Sequence, residues 1–197
     1  AIALYEQTLK DRTHILGPDH PDTLASRNNL AYAYHAAGRL DEAIALYEQT
    51  LKDRTHILGP DHPDTLASRN NLAYAYHAAG RLDEAIALYE QTLKDRTHIL
   101  GPNDPDTLLL RNNLASAYQA AGRLDEAITL HKQNLKDLTH ILGPDHPHTL
   151  TSRNNLASAY RAAGRIEEAK ALLETLSGSE EDEQDGTEED LDQETGD

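Results

Sequence analysis

The sequence predicts an all-α protein in which tandem helix-turn-helix pairs stack into an α-solenoid, and three observations support this prediction. First, the 197-residue chain repeats with a period of 42: residues 43–84 are identical to residues 1–42, while residues 85–126 and 127–168 differ from 43–84 at six and eleven positions. Second, each period carries two segments with apolar residues at helical spacing. Third, Gly and Pro residues separate these segments. So regular a period is typical of a stacked array.

The first helix of each period is predicted to run from Asp64 to Ala79, with the second copy as the example. Asp64 can cap the N-terminus with its carboxylate, and Gly80 can adopt the left-handed conformation that follows many helices. The apolar residues form one stripe at helical spacing, which we expect to face the core. This stripe consists of Leu66, Leu72, Ala73, Tyr76 and Ala79.

The second helix is predicted to follow a glycine turn and to run from about Leu82 to Leu100. Asp83 and Glu84 lie near its start, where the helix dipole favours negative charge. Pro102 stops the helix, because proline cannot continue it. No segment alternates apolar and polar residues over the length of a strand, so no sheet is predicted. The expected core stripe of this helix is Ala85, Ile86, Leu88, Tyr89, Leu93, Ile99 and Leu100.

The chain is predicted to contain a repeat array over residues 1–176 and a disordered acidic tail over 177–197. The tail has eleven Asp and Glu, no Lys or Arg, and Leu191 as its one large apolar residue, a composition that cannot form a core. It could keep the chain soluble, attract a basic partner, or screen the end of the array. The array divides into an unpaired second helix at 1–16 and helix pairs at about 22–58, 64–100, 106–142 and 148–176.

Composition excludes several classes of protein. Without Cys the chain has no disulfide framework and no thiolate nucleophile or metal ligand. A net charge of −16 argues against nucleic-acid binding, which depends on Lys and Arg at phosphates. The sequence contains neither an apolar run of 18 residues nor a signal peptide, so we expect no membrane segment and a cytoplasmic location.

The repeats resemble the tetratricopeptide repeat family, in the longer 42-residue form similar to kinesin light chains. The packing residues Leu72-Ala73, Tyr76, Gly80, Ala85 and Tyr89 carry this resemblance, which covers residues 1–176. The stretch from Leu58 to Asp64 and the Asn70-Asn71-Leu72-Ala73 run are similar to kinesin light chains in particular. One departure is an arginine where the family often has a large aromatic residue, at Arg27, Arg69, Arg111 and Arg153.

The resemblance implies a right-handed superhelix that binds extended segments of a protein or peptide on its concave face, which the first helices line. Asn suits this task because its amide both donates and accepts hydrogen bonds, although the same asparagines could instead stabilise the stack. Carried over position by position, the groove residues are Ala25, Asn28, Asn29, Tyr32 and His35; Ala67, Asn70, Asn71, Tyr74 and His77; Leu109, Asn112, Asn113, Ser116 and Gln119; and Thr151, Asn154, Asn155, Ser158 and Arg161.

Divergence between the copies favours the groove as a ligand surface. Of the six changes in the third copy, four lie on its first helix, and three of those (Leu109, Ser116 and Gln119) are groove positions. Relaxed constraint on an exposed face predicts the same pattern. The clamp for a terminal carboxylate needs paired basic residues beside Asn, and the groove has Arg161 alone, so that specificity is not predicted.

Self-association is the alternative prediction. The first and last helices carry the apolar positions that are buried in internal repeats, and the sequence shows no polar capping helix at either end. Head-to-tail stacking of chains would bury these faces and could continue as a filament. The residues expected at these ends are Ile2, Leu4, Tyr5, Leu9, Leu172, Leu173 and Leu176.

Neither a metal site nor catalysis is expected. His56 and His62 are six residues apart across a helix end, whereas metal pairs on helices favour a spacing of four with a third ligand. We expect instead that the loop histidine bonds to backbone and that the helix-end histidine interacts with the helix dipole. Carboxylates recur at every helix start and no phosphate-binding loop is present, so the copies offer no asymmetric pocket. We therefore expect no cofactor and no enzymatic activity.

Overall fold

The structure, a computed structural model, describes residues 1–174, and these residues form nine helices and no strand. Each helix packs against its neighbours along the chain, which confirms the predicted α-solenoid. The predicted acidic tail at 177–197 lies outside the described residues. The helices are α1 (Ile2–Leu16), α2 (Pro21–Ala36), α3 (Leu40–Leu58), α4 (Pro63–Ala78), α5 (Leu82–Leu100), α6 (Pro105–Ala120), α7 (Leu124–Leu142), α8 (Pro147–Ala162) and α9 (Ile166–Glu174).

The first helix of each pair is capped by the residue before a proline. The predicted cap at Asp64 is wrong: α4 begins at Pro63, and Nδ1 of His62 accepts the N–H of Asp64 at 3.1 Å. Proline suits the first helical position because the N–H it lacks would have no helical partner there. Asp104 caps α6 in the same way and accepts from two N–H groups. The expectation that the loop histidine bonds to backbone is thus confirmed at His62.

The turn between the helices of a pair depends on a glycine with positive φ. Gly80 follows the last residues of α4 with a φ of 73°, a conformation that costs a residue with a Cβ more than glycine. Its N–H donates to the carbonyl of His77 at 3.0 Å, and the N–H of Arg81 donates to the carbonyl of Tyr76 at 2.9 Å. This pair of bonds is a Schellman motif, and it satisfies carbonyls at the helix end.

The second helices have the predicted bounds but a shorter apolar stripe. Ala85, Ile86 and Tyr89 of α5 are buried, whereas Ile99 and Leu100 are 44% and 45% exposed, so their prediction as core residues is wrong. Both residues lie in the last turn of α5, and the buried residues of this helix end one turn earlier, at Arg96.

The core runs as a chain of apolar clusters between the helices. Small residues such as Ala73 and Ala85 are fully buried where two helices approach, and the tyrosines of α3 and α5, Tyr47 and Tyr89, are buried in the same clusters. The cluster of α2–α4 and the cluster of α4–α7 share the packed side chains of Tyr76 and Leu88. Burial raises the pKa of Tyr47, in the first of these clusters, to about 12.

The arginine at the position where the resembled family often has an aromatic residue forms an ion pair within three helix pairs, α2–α3, α4–α5 and α6–α7. Arg69 of α4 pairs with Asp95 of α5, and only 12% and 20% of these side chains is exposed. Arg69 also donates to the carbonyl of Pro60 at 3.2 Å. Burial alone would raise the pKa of Asp95, but hydrogen bonds from Gln91 and Arg69 hold that pKa below its usual value. Arg27 with Asp53 and Arg111 with Asp137 repeat the pair.

Candidate functional site: the concave groove

The concave face is formed by the first helix of each pair. Successive first helices touch one another, α4 against α6 and α6 against α8, which places them on the inner side of the superhelix. The predicted groove residues lie on these helices, and the structure therefore brings residues that are 42 positions apart into one surface.

Asparagines of neighbouring repeats bond to each other along this surface. The first asparagine of one repeat accepts a hydrogen bond from the second asparagine of the next. The three bonds, which we call the asparagine ladder, join Asn71 Nδ2 to Asn28 Oδ1 at 3.1 Å, Asn113 Nδ2 to Asn70 Oδ1 at 3.3 Å, and Asn155 Nδ2 to Asn112 Oδ1 at 2.8 Å. Part of each amide therefore holds the stack together.

The ladder leaves hydrogen-bonding groups for a ligand. In the rung between Asn28 and Asn71, the amide nitrogen of Asn28, the oxygen of Asn71 and one N–H of Asn71 take no part in the inter-repeat bond. Asn29 and Asn154 are exposed at the two ends of the ladder, and their side chains have no partner within residues 1–174. The groove thus presents donors and acceptors at the spacing of the repeats.

The N-terminal half of the groove is aromatic. Tyr32 and Tyr74 are 64% and 49% exposed, which is unusual for residues of this size. The ring of His35 lies 4.9 Å from the ring of Tyr74 at an angle of 35°. Nε2 of His35 and of His77 is buried and has no partner in the described part of the chain.

The C-terminal half of the groove is smaller and more polar. Ser116 and Ser158 stand where the first half has tyrosine, and Gln119 reaches across to Ser158 at 3.4 Å. Leu109 is 57% exposed. Arg161 is exposed and is the one permanently charged side chain among the predicted groove residues. The two halves of the groove therefore have different surfaces.

Sequence reasoning placed the asparagines on one face but missed that they pair. The signal was available in the repeat itself, because two adjacent asparagines recurring every 42 residues place donor and acceptor 43 positions apart. Whether they meet depends on the angle between repeats, which a sequence pattern does not give.

The residues predicted for self-association lie in two different environments. Leu4 is 72% exposed and Tyr5 is 40% exposed, whereas the equivalent Tyr47 is 3% exposed. Ile2 and Leu9 are half-buried. At the other end, Leu172 and Leu173 pack against the core of α7–α9, and Leu176 lies outside the described residues.

No three His, Asp or Glu side chains within residues 1–174 are arranged to hold a metal ion. No helix in this range is long and apolar enough to span a membrane.

Comparisons with known proteins agree with the repeat architecture. Models of the tetratricopeptide repeat match residues 1–55, 34–98, 106–176 and 71–133. No curated protein matches the chain. Crystal structures of nearly identical TPR-like repeats from Podosopora anserina, described as belonging to a kinesin light chain, are 37% identical to this chain. The alignment with one of these structures covers 94% of this chain and 88% of the other chain, with a TM-score of 0.81. The other, a form of those repeats with one residue substituted, covers 90% and 84%, with a TM-score of 0.82. The structure of BtubC (BKLC) from P. vanneervenii, 23% identical, shares the fold over 98% of this chain and 77% of its own, with a TM-score of 0.76.

Proposed function

The chain belongs to the tetratricopeptide repeat family, and from this premise we propose that it is a non-catalytic scaffold that binds an extended segment of a partner protein in its concave groove. Repeats of this family generally bind proteins or peptides. The observation that carries the proposal is the asparagine ladder, which leaves amide donors and acceptors along the whole groove.

The chemistry of the groove suits the backbone of a peptide. An extended segment offers N–H and C=O groups along its length, and the free groups of the ladder amides match both kinds. Tyr32 and Tyr74 add apolar area with a polar end, a combination that is common at binding surfaces. Because these contacts are to backbone and to ring faces, we expect the ligand to be chosen by its shape and by a few apolar side chains.

The same residues argue against catalysis. The predicted groove positions hold amides, hydroxyls and histidines, with Arg161 as the one permanent charge. They are spread over four first helices, so within residues 1–174 no single pocket of the groove brings an acid, a base and a nucleophile together. The groove therefore supports binding without a chemical step.

A peptide display library tests the groove directly. Extended peptides would be selected on the full chain, and their affinities measured for the chain and for a variant with Tyr32→Ser and Tyr74→Ser. These substitutions copy Ser116 and Ser158, so the same repeat already tolerates them. We expect binding to weaken at least about tenfold, as expected for the loss of two aromatic contacts.

The matched control changes the opposite side of the array. Lys52 and Lys94 are exposed on the second helices, and Lys52→Ala with Lys94→Ala should leave the affinities unchanged. Peptides that bind the tyrosine variant as well as the parent chain, but lose affinity for the lysine variant, would show that the groove is not the binding surface.

Head-to-tail self-association remains the second candidate, and the exposure of Tyr5 favours it. It would require a new kind of contact, because sequential neighbours in residues 1–174 always pair a first helix with a second helix. A direct contact between α9 of one chain and α1 of another would join two second helices. Sedimentation over a concentration series tests it: a mass that rises with concentration and falls back in Leu4→Glu would support stacking, and a constant monomer mass would reject it.

A further inference from the structure

We call the contact between the second helix of one pair and the first helix of the next a joint. An arginine and a tyrosine each form a polar contact across three of the joints. In the joint of α3 and α4, Arg54 of α3 donates to Ser68 Oγ at 2.9 Å and to the carbonyl of Asp64 at 3.1 Å. The hydroxyl of Tyr76 donates to Glu48 at 2.6 Å. The joint of α1 and α2 repeats these bonds through Arg12 with Ser26 and Tyr34 with Glu6.

The joint of α5 and α6 keeps an arginine contact and a tyrosine contact despite a substitution. Leu110 replaces the serine, and Arg96 instead forms an ion pair with Asp106 at 3.0 Å. Tyr118 still donates to Glu90 at 2.6 Å. Each of the first three joints therefore has one arginine bond and one tyrosine bond across it.

The joint of α7 and α8 has neither the arginine bond nor the tyrosine bond. Leu138 stands in place of the arginine, and the hydroxyl of Ser152 is buried with no partner in the described part of the chain. Lys132 replaces the glutamate, and its ammonium lies 5.4 Å from the ring centroid of Tyr160. Within residues 1–174, no hydrogen bond or ion pair connects α7 with α8. The asparagine bond from Asn155 to Asn112 attaches α8 to α6 instead.

The interior of this joint is also less favourable than its counterparts. His131 replaces the buried tyrosine, and Asn134 replaces a buried threonine. These side chains are 1% and 3% exposed, and Nδ1 of His131 and Oδ1 of Asn134 have no partner within residues 1–174. A buried polar group without a partner destabilises the folded state, because it loses its hydrogen bonds to water. The apolar cluster of α7–α9 accordingly shares no side chain with the cluster of α4–α7.

We propose that the α7–α8 joint is a hinge built into the array, at which α8 and α9 open as one unit while the preceding helices stay folded. Repeat arrays gain stability from each interface between neighbours, so weakening one interface separates the chain into two cooperative parts. The unit that opens carries Ser158 and Arg161 of the groove surface. The inference does not depend on the proposed ligand.

Hydrogen exchange of the full chain, followed by mass spectrometry of peptides, tests the hinge. Peptides from α6 and α8 are unique in sequence, whereas those of α2 and α4 are identical to each other, so α6 is the internal reference. We expect amides of α8 to exchange at least about tenfold faster than the equivalent amides of α6, which corresponds to about 1.4 kcal/mol.

Two variants exchange the residues of the joints. The restored variant carries H131Y, K132E, N134T and L138R, which are the residues found at these positions in the second copy. The environment on α8 is suitable, because Ser152, Leu156 and Ala159 are the residues that α4 has at the equivalent positions. We expect α8 to exchange about tenfold more slowly than in the parent, with α6 unchanged.

The transplanted variant moves the weak joint and keeps the test informative if the restored variant does not fold. It carries Y89H, E90K, T92N and R96L, and α6 should then exchange at least about tenfold faster than in the parent. Fast exchange of α8 that persists in the restored variant would overturn the proposal, since opening would then be independent of the joint. An unchanged α6 in a folded transplanted variant would overturn it as well.

Discussion

At the scale of single residues, the repetition of the chain places different side chains in nearly the same surroundings. Tyr47 and Tyr89 fill equivalent spaces in the second and third copies, and His131 occupies that space in the fourth. The phenol is apolar over most of its surface, whereas the imidazole must bury two nitrogens. The energetic effect of one buried group can therefore be measured by exchanging residues between copies.

The acid sensitivity of the chain is predicted to depend on His131. Burial lowers its pKa to about 4 from an ordinary 6.5, so the unfolded chain binds this proton more readily than the folded chain. This proton has no effect on stability above about pH 6.5, where both states are neutral, and the folded state loses stability as the pH falls from there towards about 4. The free energy of unfolding of the parent, measured with urea, should fall between pH 7.5 and pH 5. In His131→Tyr we expect this fall to be smaller by about 2 kcal/mol.

The third copy provides the control for this measurement. Tyr89 fills the equivalent buried space, and Tyr89→Phe changes it without adding or removing a group that titrates between the two pH values, so it should keep the pH dependence of the parent. If His131→Tyr and the parent lost equal stability between the two pH values, burial of the imidazole would not be the cause.

At the scale of the helices, the Gly and Pro residues between segments predicted the helix bounds better than the apolar spacing predicted which residues are buried. The bounds of α5 follow from the glycine turn before it and the Gly-Pro pair after it. The exposure of Ile99 could not be predicted, because spacing shows the face on which a residue lies but not how far along that face the neighbouring helices pack. The cap at His62 had a usable signal, since a residue before proline favours the extended backbone that a cap requires.

Exchanging the cap residue is predicted to change the stability of α4. His62→Ala removes the acceptor for the N–H of Asp64, and we expect the free energy of unfolding to fall by about 1 kcal/mol. His62→Asp should preserve or raise it, because Asp104 accepts two N–H groups in the equivalent place and a negative charge suits a helix start. Urea unfolding measures both, and equal stability of the alanine and aspartate variants would contradict the role of the cap.

Adding a side chain at the glycine turn is predicted to destabilise the protein, because the backbone there has a positive φ. A Cβ at Gly80 would meet no atom within 4 Å, so the cost of Gly80→Ala comes from the φ of 73° alone. We expect a loss of about 1 kcal/mol in the free energy of unfolding. Gly80→Asn should lose less, because asparagine tolerates this conformation. Equal losses for alanine and asparagine would indicate a steric cause that the structure does not show.

At the scale of the whole molecule, the period predicted the solenoid, and the family resemblance predicted which helices line the groove. Neither the period nor the resemblance predicted the asparagine ladder. The contact of Asn28 with Asn71 joins different repeats and depends on how each repeat is rotated against the next. First helices touch across the concave side, so bonds placed there resist opening of the superhelix. We therefore expect the amides that are proposed to bind a ligand to help set the curvature of the groove as well.

Removing the ladder is predicted to open the superhelix. The variant N71A, N113A and N155A deletes the donor of all three bonds, and we expect a larger maximum dimension in small-angle X-ray scattering with unchanged helicity. Each lost bond should also lower the free energy of unfolding by about 0.5–1.5 kcal/mol. The control, N29A with N154A, deletes the same amide at the two ladder ends, where no bond joins repeats, and should leave the scattering unchanged. If the triple variant scattered like the control, side-chain packing between the first helices would set the curvature without the amides. The groove amides would then be available to a ligand without any effect on the shape of the array.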